Sequence, residues 1–169
     1  MSALIRVFLD LALLRSGPQV LPASPLLLAC AAFACLASTG LVVALLVGDL
    51  AGWARESVGG VLLDAVGLWL VLAIARRTAR YPQTLCAVYG TGVILNLALF
   101  PGVLIAVAGG DRFKPFAALL GTLVLGWGMA ILANILRHAL EIALGWALAL
   151  AALYTFVSLL VFRWYGAPA

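Results

Sequence analysis

Apolar residues fill this chain in five long runs, separated by short polar connections. The runs cover residues 25–47, 58–75, 83–108, 116–136 and 140–162. A helix of about 20 apolar residues spans the ~30 Å hydrocarbon layer of a bilayer, and a helix satisfies its own backbone hydrogen bonds in lipid. The pattern therefore predicts an all-α fold, a polytopic membrane helix bundle with five transmembrane helices over residues 25–165.

The first 24 residues follow a different pattern. Residues 1–15 are apolar except for Arg15 and for a polar face at four-residue spacing, Ser2, Arg6 and Asp10, in which Arg6 and Asp10 are able to pair. Fifteen residues are too few to span a bilayer, so we predict an amphipathic helix lying in the cytoplasmic interface. The alternative is that this segment begins the first span. Three prolines between residues 18 and 25 argue against that, because proline interrupts a helix.

The third run, residues 83–108, has the length and the proline of a distorted helix. It would rise about 39 Å at about 1.5 Å per residue, which exceeds the hydrocarbon layer, so it is expected to tilt, bend or break. Pro101 predicts a kink, because it lacks an amide N–H and its ring clashes with the carbonyl of Leu97.

The same run also carries the residues of a central helix. Gly90, Gly92 and Gly102 leave room for close neighbours, while Tyr89 and Asn96 need hydrogen-bond partners inside lipid. We therefore predict that this helix packs against several of the others.

Composition supports the membrane assignment. Of 169 residues, 66% are hydrophobic and 9% are charged, against about 45–50% and ~25% in soluble domains; the mean hydropathy is +1.22. The net charge of +4 comes without a basic stripe interleaved with aromatic residues, so no nucleic-acid partner is predicted. The predicted partners are the lipid bilayer and other membrane proteins or further copies of this chain.

The basic residues of the connections predict an orientation. With five spans, the N-terminus shares a side with the second and fourth connections, and that side carries six basic residues against four on the other. Because cytoplasmic connections are enriched in Lys and Arg, the N-terminus is predicted to be cytoplasmic and the C-terminus outside. The preference for Arg over Lys, with abundant Ala, Leu and Gly, indicates a GC-rich bacterial genome and hence a bacterial inner membrane.

No catalytic, cofactor or metal site is predicted. His138 is the single histidine, which excludes HExxH motifs and histidine clusters, and no GxSxG motif is present. Cys30, Cys35 and Cys86 lie inside apolar runs without a CxxC spacing, and are predicted to be small buried hydrophobic residues. The protein is predicted not to be an enzyme.

Isolated polar residues inside or beside the runs are the remaining functional candidates. They are Asp64, Tyr89, Asn96, Asn134, His138 and Glu141. Asp64 lies about seven residues inside the second run, and a carboxylate costs roughly 2.5–3.5 kcal/mol at the centre of a span. It is either a structural group near the outer interface, or a proton, cation or partner site inside the bundle. Glu141 is one turn from Arg137 and able to pair with it.

The order of features resembles the Yip family (Ypt-interacting proteins). A run ending in the basic connection ARRTAR precedes TLCAVYGTGVILNLALFPG, and a Trp-bearing run then leads through ILRHALEIALGWALA into the last run, over residues 67–162. The family's Gly-Tyr order is reversed here at Tyr89 and Gly90, and Pro101 lies further along. The resemblance implies five helices, a cytoplasmic N-terminus and a non-enzymatic role. Rab GTPase binding by the eukaryotic relatives uses a long N-terminal region, and about 24 residues precede the first run here, so it is not carried over.

Two functions follow as expectations. The first is a non-enzymatic scaffold or subunit that acts through contacts with membrane proteins or lipids. The alternative is a small transporter or channel with Asp64 and Asn96 lining the path.

Overall fold

The chain folds into helices throughout the part that the structure describes. A computed structural model describes the backbone of residues 2–47 and 50–166, and the side chains of these residues except at 2, 3, 46, 47, 50–54, 111, 162 and 164–166. Within these ranges there is no strand, so the predicted all-α fold is confirmed. The α-helices are α1 Ser2–Ala12, α2 Pro25–Val47, α3 Leu50–Ile74, α4 Tyr81–Gly109, α5 Lys114–Leu140 and α6 Leu144–Gly166.

Five of these helices are long and apolar enough to cross a membrane, as predicted. The candidate spans are Pro25–Leu45, Arg55–Ile74, Thr78–Gly109, Lys114–Leu140 and Leu144–Val161. Their outer surface exposes large apolar side chains, for example Leu26, Phe33 and Trp146 at 74% each. Such a surface suits contact with lipid rather than with water.

The five long helices form a ring. Each helix packs against the next in the order α2, α3, α6, α5, α4, and α4 packs back against α2 and also touches α3 and α1. The predicted central role of α4 is therefore seen in its contacts. A Cβ at Gly90 would collide with the ring of Phe8, and one at Gly102 would collide with Leu120, so both glycines allow close approach as predicted.

The helix α3 begins earlier than the sequence pattern indicates. Residues 48–57 were expected to form a connection, but the backbone is helical from Leu50. Charged Arg55 and Glu56 end the apolar run without ending the helix, since no proline interrupts it. As a result Asp64 lies at the middle of the candidate span Arg55–Ile74 rather than near its edge.

The helix α4 continues across Pro101 to Gly109, so the chain does not break there. A membrane helix tolerates proline because its neighbours and local adjustments satisfy the freed carbonyl. A kink at Pro101 stays a prediction.

The N-terminal segment crosses the side of α4 and α5. α1 packs against both helices, and the backbone carbonyl of Ala12 accepts a hydrogen bond from the indole of Trp127 at 2.8 Å. Trp127 is thirteen residues from the end of α5 at Leu140, about 20 Å along the helix. An interfacial position for α1 stays a prediction.

The polar face predicted for α1 is only partly described. Arg6 and Asp10 do not form the ion pair that their spacing allows. The Ser2 side chain, which belongs to the same predicted face, lies outside the described residues.

Candidate functional site

A cavity lies at the centre of the helix ring. It has a volume of about 180 Å³ and is lined by residues from all five long helices. Most of the lining is apolar, including Leu68, Ile131 and Ile135. Among the described residues that line it, Asp64 is the one that carries a charge.

The carboxylate of Asp64 is held by a tyrosine of α6. The Tyr154 hydroxyl donates a hydrogen bond to Asp64 Oδ1 at 2.9 Å. The tyrosine ring reaches this position across Gly67, where a Cβ would lie 2.7 Å from a ring carbon. Glycine at 67 therefore lets α6 approach α3 closely enough for the hydrogen bond.

Two tyrosines of α4 bind the same stretch of α3. Tyr89 donates its hydroxyl hydrogen to the carbonyl of Val61 at 2.7 Å, and Tyr81 donates to the carbonyl of Ala65 at 3.0 Å. Together with Tyr154, they fix α3 on both sides of Asp64. Because a phenol must find an acceptor when it is removed from water, these contacts also meet the requirement predicted for Tyr89.

A second cavity meets the first at Asp64. It has a volume of about 250 Å³ and is lined by residues of α2 and α3, among them Thr39, Glu56 and Gly60. Asp64 and Cys35 line both cavities. These two side chains therefore lie at the boundary between the cavities.

The residues around this boundary share one depth in the bundle. Cys35 is ten residues after Pro25, Asp64 ten before Ile74, Thr91 ten after Tyr81 and Tyr154 ten after Leu144. Ten residues of helix rise about 15 Å. The site thus lies about 15 Å from one end of the bundle. We call this the arginine end, because Arg76, Arg77, Arg80 and Arg137 lie there.

Asn96 is linked to the second cavity by a hydrogen bond to a residue of its wall, Thr39. Its Nδ2 donates to Thr39 Oγ1 at 2.9 Å and to Ser38 Oγ at 3.1 Å, both on α2. Thr39 is itself part of the cavity wall. The predicted need of Asn96 for partners is confirmed, and the pair Asp64 and Asn96 borders one polar region.

Glu141 lies at the arginine end, far from this region. It forms ion pairs with Arg77, at 2.7 Å, and with Arg80, and the hydrogen bonds from Arg77 and then Arg80 lower the pKa of this carboxyl. Arg80 also donates to the carbonyls of His138 and Ala139, both at 3.1 Å, and so caps α5.

Glu141 does not form the ion pair with Arg137 that the spacing in the sequence allows, and is paired with Arg77 and Arg80 instead. α5 ends at Leu140, and Glu141 has a left-handed backbone with φ of 58°. The side chain therefore leaves the helical face on which residues four apart meet.

Asn134 serves the N-terminal segment. Its side-chain Nδ2 donates a hydrogen bond to the backbone carbonyl of Ser16 at 2.9 Å. The backbone carbonyl of Asn134 lies 2.8 Å from His138 Nδ1.

Of the predicted candidates, Asp64 lines both cavities. Tyr89 and Asn96 bind the wall residues Val61 and Thr39 of the second cavity. Asn134, His138 and Glu141 line neither cavity.

Several residues of the site were not singled out by the sequence analysis. They are Cys35, Thr39, Glu56 and Tyr154. Cys35, Asp64 and Tyr154 are each ten residues from one end of their helix, at Pro25, Ile74 and Leu144, so these distances would have grouped them once those ends were known.

The cysteines are free thiols in the described structure. Cys35 and Cys86 are buried as predicted, whereas Cys30 is exposed on the outside of α2. The described residues contain no group of three or more His, Cys, Asp or Glu side chains placed to hold a metal ion.

Comparison of the chain with family models, curated proteins and solved structures gives no match.

Proposed function

We propose that this protein is a small membrane transport protein that passes a proton or a small cation through the helix bundle by way of Asp64. The observation that supports this most directly is the position of Asp64, at the boundary of two cavities inside a ring of five helices that are long and apolar enough to cross a membrane. It is the alternative function of the sequence analysis, and the geometry favours it.

The chemistry of Asp64 supports a cationic substrate. In the part of the chain that the structure describes, this carboxylate has no ion pair, and its hydrogen-bond donor is the neutral Tyr154. A charged group at mid-span is costly and ordinarily marks an ion path or proton relay. A bound proton or cation removes that cost, whereas an anion would increase it.

The walls of the two cavities indicate a path. From the end of the bundle opposite the arginine end, the second cavity offers Glu56 and Thr39 before Asp64. Beyond the central cavity, Leu72 and Leu136 are fully buried towards the arginine end. Passage therefore requires this apolar layer to separate, as in proteins that expose a central site to one side at a time.

The test is ion flux in proteoliposomes. We expect the purified protein to dissipate an imposed gradient of H⁺, Na⁺ or K⁺, and Asp64→Asn to slow this by about tenfold or more, because the amide cannot carry the charge that compensates a cation in the span. Asp10→Asn, which removes a carboxylate of α1 outside both cavities, is the matched control and should keep the wild-type rate.

Equal flux in wild type and Asp64→Asn would contradict the proposal, and so would the absence of flux for all three ions. Cys35 provides a second measurement, because it lines both cavities. In a Cys30→Ser, Cys86→Ser background, a charged membrane-impermeant thiol reagent should modify Cys35 if water reaches the site.

A scaffold or subunit role remains the second candidate, and one feature of α5 favours it. Ala118, Thr122 and Gly126 form an exposed row at four-residue spacing, and a Cβ at Gly121 or Gly126 would meet nothing within 4 Å. Small residues at this spacing let another helix approach closely. No helix in the described part of the chain covers this row.

The membrane is proposed to be the bacterial inner membrane, with the N-terminus cytoplasmic. The excess of arginine at the arginine end supports this orientation. The resemblance to the Yip family stays a prediction, supported by the number of spans and by the order of features along the sequence.

A further inference from the structure

The two cavities that meet at Asp64 offer few side-chain oxygens to a metal cation. Among the described residues, those of the central cavity belong to Asp64, Thr91 and Tyr154, and the second cavity adds Thr39 and Glu56. Glu56 is eight residues from Asp64 on α3, about 12 Å along the helix, so the two carboxylates cannot hold one ion together. The oxygen ligands near Asp64 are therefore limited to its own carboxylate and three hydroxyls.

The three hydroxyls are already used in other contacts. Thr91 Oγ1 is turned towards the backbone of its own helix, where it donates to two carbonyls at 2.8 and 3.1 Å. Thr39 Oγ1 accepts a hydrogen bond from Asn96, and Tyr154 donates to Asp64 Oδ1. No described group donates to Asp64 Oδ2. This oxygen is therefore the free acceptor of the carboxylate.

The helix backbones around the site add no further ligands. The helices α2 to α6 each run without interruption past this depth, and a continuous helix bonds its own carbonyls. Pro101 frees the carbonyl of Leu97, but Leu97 lines neither cavity. Transporters that hold Na⁺ use carbonyls of discontinuous helices, and K⁺ filters use rings of carbonyls. A dehydrated Na⁺ or K⁺ would lack these ligands here.

A hydrated metal cation would also be poorly accommodated. The wall of the central cavity is mostly apolar, with Leu68 and Ile131 among its residues, and the fully buried Leu72 and Leu136 follow towards the arginine end. Water carried by the ion would lose hydrogen bonds against these side chains. A proton bound to Asp64 needs one oxygen and no hydration shell, and it leaves a neutral acid that a span tolerates.

The titratable groups around Asp64 carry no positive charge. The wall residues contributed by α5 are glycine and apolar residues. The other four long helices contribute a thiol, phenols and a second carboxyl group, at Cys35, Tyr81, Tyr89, Tyr154 and Glu56. Since none of these groups is a cation, the charge of Asp64 is compensated only when an ion binds to it.

We propose that Asp64 takes up a proton and does not bind Na⁺ or K⁺, so that H⁺ is the ion that this protein transports. The inference rests on the proposed transport function and narrows its substrate from a proton or small cation to the proton. On uptake an O–H bond forms between Asp64 Oδ2 and a proton delivered by water in the second cavity. On release this bond breaks, the electron pair stays on the carboxylate, and the proton passes to water on the other side.

The first experiment identifies what Asp64 binds in the wild-type protein. Dicyclohexylcarbodiimide, an apolar reagent, adds to protonated carboxyl groups, and peptide mass spectrometry locates the adduct. In nanodiscs we expect Asp64 to be modified at a rate that falls several-fold as the pH rises. Replacing choline chloride by NaCl or KCl should leave this rate unchanged. Glu141, whose charge is held by two arginines, is the control in the same protein and should stay unmodified.

Two results of this experiment would overturn the inference. Protection of Asp64 by Na⁺ or K⁺ would show that a metal cation binds there, and would leave the proposed transport function standing. Absence of modification at every pH would show that the carboxylate takes up no proton. Because the experiment needs no substitution at Asp64, it does not depend on the folding of a variant.

The second experiment measures flux in proteoliposomes in two arms. In the first, a pH gradient is imposed with equal K⁺ on both sides and valinomycin to remove the membrane potential, and a trapped pH dye reports H⁺ entry. In the second, uptake of radioactive Na⁺ and of Rb⁺, which replaces K⁺, is measured at equal pH. We expect H⁺ entry about tenfold or more faster in wild type than in Asp64→Asn, and uptake of Na⁺ and Rb⁺ no faster than in protein-free liposomes.

The two arms separate failure of the inference from failure of the proposed function. Uptake of Na⁺ or Rb⁺ that depends on Asp64 would overturn the proton as substrate and keep transport. Absence of flux in both arms would remove the transport function, and the inference with it.

Discussion

At the scale of the residue, the carboxylates of this chain differ in what neutralises them. Glu141 is exposed and has two arginines within reach, whereas Asp64 is enclosed by helices and has a tyrosine hydroxyl. The two arginines keep Glu141 neutralised permanently. Asp64 has no such fixed partner among the described residues, so a proton or cation can bind to it and leave again, as the proposed transport requires.

The pH dependence of the Glu141 contacts can be measured directly. Because Arg77 and Arg80 lower the pKa of Glu141, its ion pairs stabilise the folded protein at neutral pH, and that stabilisation is lost as the pH falls through the lowered pKa. Glu141→Gln should reduce the melting temperature slightly at neutral pH, by no more than about 4 °C, because the pairs are exposed. The difference from wild type should disappear in acid.

Arg137→Gln is the control for this measurement. Since Arg137 does not pair with Glu141 in the structure, this variant should leave the pH dependence intact. If Arg137→Gln abolished the pH dependence of the melting temperature, that result would support the ion pair between Arg137 and Glu141 that the sequence spacing allows.

At the scale of the element, side chains of the long helices hold the N-terminal segment through its backbone carbonyls. Trp127 binds Ala12, Asn134 binds Ser16, and Gln83 binds Leu21 at 2.9 Å. These carbonyls lie at or beyond the end of α1, where a helix leaves carbonyls without intrahelical partners. The spans thus satisfy groups that lipid could not.

Removing one of these donors should loosen the segment. Trp127→Phe keeps the aromatic ring but removes the indole N–H, at a cost of about 0.5–1.5 kcal/mol. Hydrogen exchange of amides around residues 12–16 should become faster by up to about tenfold. Trp146→Phe, on the exposed surface of α6, should leave this exchange unchanged; similar exchange in both variants would show that the Trp127 hydrogen bond does not hold the segment.

At the scale of the whole molecule, the ring of five helices leaves a cavity inside and a row of small residues outside. The cavity supports transport by a single chain, while the row on α5 favours association with another helix. The two functions therefore predict different states of the protein in the membrane.

Association through α5 can be tested by filling the row. If Gly126 contacts another helix, Gly126→Ile should abolish cross-linking of the protein to itself or to a partner in native membranes, because the side chain prevents close approach. Gly145→Ile is the control, since Gly145 is also exposed and also has open space at its Cβ position. A wild type that is monomeric and without a cross-linked partner would remove the scaffold function and leave transport.

The sequence by itself determined the number of spans, their helical state and the central place of α4. Whether a run spans the membrane depends on its summed apolar content, which is a property of that run alone. A glycine such as Gly90 permits close packing whichever element of the chain becomes its neighbour. The tertiary structure decided the depth of Asp64 and the partners of each polar group. Tyr154 lies 90 positions from Asp64, and Arg80 lies 61 from Glu141; such pairs form only when helices settle into one packing, and no local pattern encodes which helices become neighbours.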